Sequence, residues 1–414
     1  MADFSRREFI KLAGNIAGAA TIYTFLPGIV LAGGKPDYTV AASSILHPTF
    51  MSPEIIEKGK HIFIKRTANP NISIKSVRLA SRSGDSIINM KEISSIDLSI
   101  ELEPDISPVP GMYDLLCEVE YKGKKRIEHQ PHSISIVDRF KDTFNFGVIS
   151  DVHFGDPRVG YKLDNFDVEK TLIEEIEIFK SKNIEFCICC GDLCFLPPKS
   201  EKEIIKYFNT LTDHSDFPTF TAPGNHDGYS TGTPQKLNFD TYKFWNKTFG
   251  PLHTGGKYGD FSLIGLNTFD KEPLLRNVYG GYGDAVDSGS IGSTQLSWLK
   301  EKLKESKETG NTTIMFGHHN PTNTVIDRNG PFEIKPFSDT GRNELLELIE
   351  EYQPELLLSG HVHGYYEEYL GKTHIVTAPT AASLPAEGHA IGILVFKVEN
   401  GKIDSVEKID IAKV

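Results

Sequence analysis

Cysteine is scarce in this chain, and its placement excludes a zinc knuckle. The five cysteines are Cys117, Cys187, Cys189, Cys190 and Cys194. Four crowd one short stretch, and none forms a CxxC pair answered by a distant second pair. Cys187, Cys189 and Cys190 lie in the apolar run from Ile184 to Cys190. Neighbours on one strand point to alternate faces and do not bridge each other. They read as small buried hydrophobes, with a disulfide from Cys194 or Cys117 left open. Positive charge is also short: 44 Lys and Arg stand against 56 Asp and Glu, a net charge of −12. An acidic chain without a basic stripe repels polyanions, which argues against a nucleic-acid surface and against a nuclease. A small phosphorylated substrate stays compatible, because bound metal ions would dominate the local field. There is no internal repeat and no low-complexity segment. With 39% hydrophobic and 24% charged residues, the composition is that of a folded globular protein. Its 414 residues exceed one ordinary core and predict two domains.

Near the N-terminus stands Ser5-Arg6-Arg7-Glu8-Phe9-Ile10-Lys11, followed by a weakly apolar run from Leu12 to Leu31. The pattern resembles a twin-arginine export signal over residues 1–34, with Val30-Leu31-Ala32 offering a cleavage site. About 20 apolar residues can also span a bilayer, but Gly14, Gly18, Pro27 and Gly28 weaken an anchor. The expectation is an exported protein, periplasmic or extracellular, handled by the twin-arginine machinery and with no stable membrane span in its mature form.

Residues 35–140 read as short strands. His61–Lys65, Ser73–Leu79 and Ser95–Ile100 alternate apolar and polar, and turn formers such as Asn69-Pro70-Asn71 and Lys122-Gly123-Lys124 separate them. This predicts an all-β sandwich that packs or orients its neighbour. From 141 to 414 the pattern changes to strand, motif, helix, strand, an α/β organisation with its chemistry at the carboxyl ends of strands. A helix is expected over Asp167–Lys182, and closing strands around the turn Glu399-Asn400-Gly401-Lys402.

Five blocks carry the candidate chemistry: Asp151-Val152-His153, Gly191-Asp192, Gly224-Asn225-His226-Asp227, Gly317-His318-His319-Asn320-Pro321 and Gly360-His361-Val362-His363. Four directly follow strand-like apolar runs. If the strands continue through the blocks, residues i and i+2 share a side, so Asp151 and His153 grip one metal while His361 and His363 address two. A glycine before the ligand allows close backbone approach. Carboxylate plus imidazole suits Mn, Fe, Zn or Co, and the absence of thiolate argues against structural zinc. One such block alone is weak; five in order are not a coincidence.

The set resembles the calcineurin-like metallophosphoesterase superfamily over roughly residues 144–380, including the stretch Gly292–Leu299 that leads into a helix. The resemblance implies two β-sheets packed together and flanked by helices. It implies two divalent or mixed-valence metal ions and hydrolysis of phosphate mono- or diesters by a metal-bound hydroxide. Asp151, His153 and His363 would hold the first metal, and Asn225, His361 and one histidine of the fourth block the second. Asp192 would bridge, and His226 would protonate the leaving oxygen or clamp the phosphate. The family pattern is glycine-His-x-Pro; here His318 follows the glycine, whereas His319 has the right distance to Pro321. The reading favours His318, nearer the strand end, with the other ring touching substrate. Purple acid phosphatases, which also carry an N-terminal β-sandwich, place a tyrosine ligand where this chain has Phe195 and lack a histidine at the position of His153. The site is therefore more similar to the cyclic-nucleotide phosphodiesterase and sphingomyelinase-like branches. The competing expectation is a metal-bearing binding protein of this fold without catalysis. The aromatic and glycine-rich stretch from Thr231 to Gly289 is a candidate substrate rim, and Arg276 or Arg328 a candidate reader of a second anionic group.

Overall fold

The computed structural model describes residues 44–81, 86–159, 163, 166–233, 236–277, 287–325 and 336–413. The export pattern, Tyr279, Gly280–Gly283 and Arg328 lie outside them. Two compact units emerge. One gathers the described residues up to Phe140 with Asp216–Pro218 and Phe244–Pro251; the other holds Lys141–Ser215, Thr219–Lys243 and the residues from Leu252 onward. Among the described residues no helix is long and apolar enough to cross a membrane.

The first unit is built from β1 (Ile45–His47), β2 (Glu54–Glu57), β3 (Ile62–Arg66), β4 (Ile72–Ser81), β5 (Ile87–Ile96), β6 (Ser99–Pro104), β7 (Gly111–Tyr121) and β8 (Lys124–Val137). Alternation sets the inward face: Ile62 and Ile64 are buried while Phe63 and Lys65 point outward. Where two separate sheets were expected, the strands join in a single sheet, β1-β3-β6-β5-β4-β7-β8-β2. Only β2 and β8 pair in parallel. Side chains from all eight strands, among them Ile45, Ile56, Ile64, Leu79, Ile88, Leu102, Leu115 and Ile134, share one core.

The second unit holds two sheets. In the first, β9 (Phe144–Ile149), β10 (Ile184–Cys189) and β11 (Thr219–Thr221) run parallel, and β20 (Ala390–Glu399) and β21 (Lys402–Lys413) complete the order β11-β10-β9-β20-β21. The closing turn is as expected, with Asn400 and Gly401 both at positive φ. The second sheet has the order β14-β15-β16-β17-β19-β18, from β14 (Thr254–Tyr258), β15 (Phe261–Gly265), β16 (Thr312–Phe316), β17 (Leu356–Ser359), β18 (Tyr366–Leu370) and β19 (Thr373–Thr377). A small hairpin, β12 (Ser230–Thr233) with β13 (Lys236–Asp240), lies between them in sequence. Aromatic rings join the two sheets: Tyr258 lies 4.6 Å from Phe144 and 5.4 Å from Phe186, centroid to centroid. Each such ring pair adds about 0.5–1.5 kcal/mol beyond the area it buries.

Helices α1 (Val168–Ser181) and α2 (Ser200–His214) connect β9, β10 and β11. Helices α4 (Ser293–Thr309) and α5 (Arg342–Tyr352) connect β15, β16 and β17; a shorter α3 (Thr241–Thr248) follows the hairpin. Asp167 caps α1 by accepting from the backbone N–H groups of Glu169 and Lys170. The inward face of α1 carries Leu172, Ile176 and Phe179, as the periodicity predicts, and also the buried acid Glu175. Among the described residues neither Glu175 oxygen has a hydrogen-bond partner.

Candidate metal centre

The five blocks follow the carboxyl ends of five parallel-running strands: β9, β10 and β11 in one sheet, β16 and β17 in the other. Strand direction therefore delivers all five to one place. Backbone bonds continue past the strand ends and tie the blocks together. The Asp151 and His153 N–H groups donate to the carbonyls of Gly191 and Asp192, and the Gly360 N–H donates to the carbonyl of His318.

The strand-spacing expectation needs correction at this point. Asp151, His153, Asp192, His361 and His363 lie beyond the strands with φ of 55°, 50°, 56°, 72° and 54°. Left-handed backbone at non-glycine residues is uncommon and costs energy that the surroundings must offset. Residues i and i+2 do converge, but because left-handed residues flank an intervening residue, not because a strand continues. The glycines before the ligands serve tight contact with the protein itself. Gly191 has φ of 96°, and a Cβ there would sit 2.5 Å from the Gly224 nitrogen. A Cβ on Gly360 would sit 1.9 Å from Ser150 Oγ and 2.5 Å from Asp151 Oδ2.

The gathered side chains, buried except for the half-buried His226, fall into overlapping groups, and within each group the ligand atoms lie within 4.8 Å of one another. These groups are Asp151 with His153 and His363, Asp151 with Asp192 and His318, His318 with His319 and His361, and His153 with Asp192 and His226. Asp192 stands between them. Its Oδ2 is 3.0 Å from His318 Nε2 and 3.4 Å from His153 Nε2, and its Oδ1 accepts the His226 N–H at 2.9 Å. His153 Nε2 and His363 Nε2 face each other at 3.1 Å. Two imidazole nitrogens and two carboxylates converging on one spot fit a divalent cation's donor set.

Carbonyls select the tautomers. Nδ1 of His318 lies 2.7 Å from the Cys190 carbonyl, Nδ1 of His363 lies 2.6 Å from the Leu384 carbonyl, and Nδ1 of His226 meets the Phe195 carbonyl. Each ring donates there, which leaves Nε2 as the nitrogen available to the centre. His319 differs. Its Nε2 donates to the Asp287 carbonyl at 2.9 Å, and its Nδ1 accepts from Thr268 Oγ1 at 2.9 Å. The same Thr268 oxygen accepts the N–H groups of His318 and His319. Both His319 ring nitrogens are thus engaged by protein.

Charge is distributed to match. Burial opposes ionisation of Asp192, but His318 and His226 hold its carboxyl far below the usual range. Burial would lower His318, yet Asp192 and Asp151 raise it to about 9. Burial draws His226 down to about 4 against the pull of Asp192. The carboxylates therefore demand positive charge at this spot.

With this geometry, the match of the calcineurin-like phosphoesterase profile to residues 144–365 decides the family. The chain belongs to the calcineurin-like phosphoesterase family. Uncharacterized proteins from two strains of Mycobacterium tuberculosis are 25% identical to it over 194 residues, which is 44% of this chain and 34% of theirs. The match thus spans about a third of those relatives' length. Among solved structures, a dimetal phosphatase from Danio rerio is 14% identical, with TM-score 0.44, over 64% of this chain and 98% of that one. A purple acid phosphatase from yellow lupin seeds is 13% identical, with TM-score 0.47, over 84% of this chain and 72% of that one.

The expectation for Arg276 fails here. Arg276 is 3% exposed and cannot meet a substrate: it pairs with Asp240 at 3.0 Å, donates to the Gly228 and Lys271 carbonyls, and lies over the Tyr242 ring. Of the stretch from Thr231 to Gly289, Tyr279 and Gly280–Gly283 lie outside the described residues. Its described part is largely β12–β15 and α3, with Tyr242, Trp245 and Tyr258 buried. Nor does any disulfide form: all five cysteines are free and buried, and burial pushes the Cys189 thiol up to about 12. Sequence reasoning missed several supports. Asp227 accepts the N–H groups of Gly224, Leu193 and Cys194 and fastens the third block to the second. Asp156, held down to about 2 by Arg158 and Ser383 against burial, anchors the loop after His153. Asp227 at least stood inside a recognised block; Thr268, Asp156 and Asp287 carried no local signal.

Proposed function

We propose that the protein hydrolyses phosphate esters, mono- or diesters, with a dinuclear metal centre. Asp151, His153 and His363 would hold one ion, Asn225, His318 and His361 the other, and Asp192 both. The observation that carries this reading is the buried Asp192 carboxylate, within 3.0 Å and 3.4 Å of imidazole nitrogens from the two sets. His318 is preferred over His319 because its Nε2 faces the Asp192 and Asp151 carboxylates at 3.0 Å and 3.8 Å, whereas both His319 nitrogens are engaged by Thr268 and Asp287. When bound, the ions supply an activated water and neutralise charge on the phosphoryl oxygens; Mn, Fe, Zn and Co all suit the donors.

The chain's own residues do the rest. Ser150 Oγ donates to Asp151 Oδ2 at 2.5 Å and the His361 N–H donates to the same oxygen at 3.1 Å, so this carboxylate is fixed before any ion is bound. His226, fastened through Nδ1 to the Phe195 carbonyl and through its backbone N–H to Asp192, would present Nε2 beside the centre and, once that nitrogen has taken up a proton, protonate the leaving oxygen or clamp the phosphate. Its ring is steadied by the Phe195 ring stacked 5.7 Å away. Export in a folded, metal-loaded state is supported by the Arg6-Arg7 pattern.

The test uses protein loaded with Mn, Fe or Zn and assayed on an aryl phosphate monoester and diester. Chelation should abolish turnover. Asp192→Ala should lose bound metal and turnover together, while His226→Gln should keep its metal and slow most on poor leaving groups. Turnover that survives exhaustive chelation refutes the proposal. Two tightly bound ions without turnover on either ester class would favour a metal-bearing binding protein instead.

A further inference from the structure

Asn225 is the one expected ligand whose side chain has two different ends. Only Oδ1 can coordinate a cation; Nδ2 cannot. Nothing in the Gly224-Asn225-His226-Asp227 block itself decides which end faces the centre. A hydrogen-bonded chain outside the five blocks does.

Tyr229 Oη donates to Asp287 Oδ1 at 2.5 Å. A carboxylate only accepts, so the phenol proton is committed to Asp287 and the phenol oxygen has only lone pairs left to offer. It then accepts from Asn225 Nδ2 at 2.7 Å. Rotating the amide would set Oδ1 against those lone pairs. The amide nitrogen is thereby held on the Tyr229 side and Oδ1 on the other, where it is buried without a hydrogen-bond partner among the described residues. Tyr229 is itself held: it is 2% exposed and packs with Tyr242 and Phe269. Asp287 is held through its backbone as well, since its carbonyl accepts the His319 Nε2–H at 2.9 Å. One residue thus steadies the third block through its side chain and the fourth through its main chain.

We infer that Tyr229 and Asp287 are positioning residues that fix the Asn225 amide with its oxygen toward the second metal. The inference rests on the dinuclear reading above and concerns only how that ion is held.

The experiment is a double-mutant cycle read as metal affinity. Wild type, Tyr229→Phe, Asn225→Asp and the double variant are equilibrated with Mn in a chelator buffer, and bound metal per chain is counted by mass spectrometry. Tyr229→Phe keeps the ring and its packing but loses the phenol oxygen. It should weaken the second ion by roughly 10- to 100-fold and leave the first in place. Aspartate presents an oxygen whichever way it turns, so in the Asn225→Asp background the same change should cost little. A purely structural role for Tyr229 predicts the same loss in both backgrounds, and that result overturns the inference, as does an unweakened second ion in Tyr229→Phe. If Tyr229→Phe does not fold, judged by metal-free thermal unfolding, Asp287→Ala enters the same cycle with the same expectation. Wild type that holds fewer than two ions would instead refute the dinuclear reading.

Discussion

Glu175 offers a test of how the second unit is held together, independent of any metal. It sits on the inward face of α1 with Leu172, Ile176 and Phe179, is fully buried, and has no hydrogen-bond partner for either oxygen among the described residues. Burial, with a smaller contribution from the neighbouring Glu174 charge, pushes its pKa well above the ordinary glutamate value. The folded state therefore keeps this proton where the unfolded chain releases it. Between those two pKa values the native state binds more protons, so the residue's contribution to stability falls as pH rises. The slope approaches about 1.36 kcal/mol per pH unit. From pH 5 to pH 6, allowing for partial ionisation of the unfolded chain, the loss is at most about 1.2 kcal/mol, the limit in which the buried acid keeps its proton throughout. Glu175→Met removes the proton equilibrium while keeping similar bulk. The advantage of the variant over wild type should therefore grow between pH 5 and pH 6, by no more than that amount, measured by urea unfolding of both proteins at each pH. Titrating groups that do not interact with Glu175 cancel in the comparison. A stability difference that does not change with pH would show that Glu175 is solvated or paired in solution, and the reasoning from its burial would be wrong.

Two further expectations stand beside it. Gly360→Ala should cost roughly 10- to 100-fold in metal affinity, followed by competition with a chelating dye, because the new methyl group lands on Ser150 Oγ and Asp151 Oδ2; unchanged affinity would mean that this carboxylate is not held as described. Replacing Arg6 and Arg7 together with lysine should leave the protein inside the cytoplasm of a bacterial host with twin-arginine machinery, as read by cell fractionation, and export of the double variant would refute the expectation.

The site was legible because each block is local in sequence. A carboxylate, an imidazole or an amide stands within a few residues of a strand end, and parallel strands bring those ends together without further instruction. What surrounds the blocks was not legible. Asn225 shows its residue type in the sequence but not its orientation, which depends on an aspartate 62 residues further on. The choice between His318 and His319 turns on the Cys190 and Asp287 carbonyls, and carbonyls leave no trace in composition. Arg276 looked available because an isolated arginine in a loop-rich stretch usually is; Asp240 and Tyr242, which bury it, are distant in sequence. Helix periodicity identified the inward face of α1 but could not show that Glu175 shares it unpaired. In the first unit alternation gave the strands, whereas their joining into one sheet depends on pairings such as β3 with β6 and β2 with β8 that no local pattern encodes.

The left-handed residues at Asp151, His153, Asp192, His361 and His363 have a consequence for which ions the protein carries. Backbone bonds between neighbouring blocks hold Asp151, His153 and Asp192, and the Asp151 carboxylate accepts the His361 N–H, so these walls of the centre are fixed by the protein itself. Its oxygen and imidazole donors follow the general order of affinities for first-row metals. An ion of another size would have to displace backbone, not merely turn a side chain.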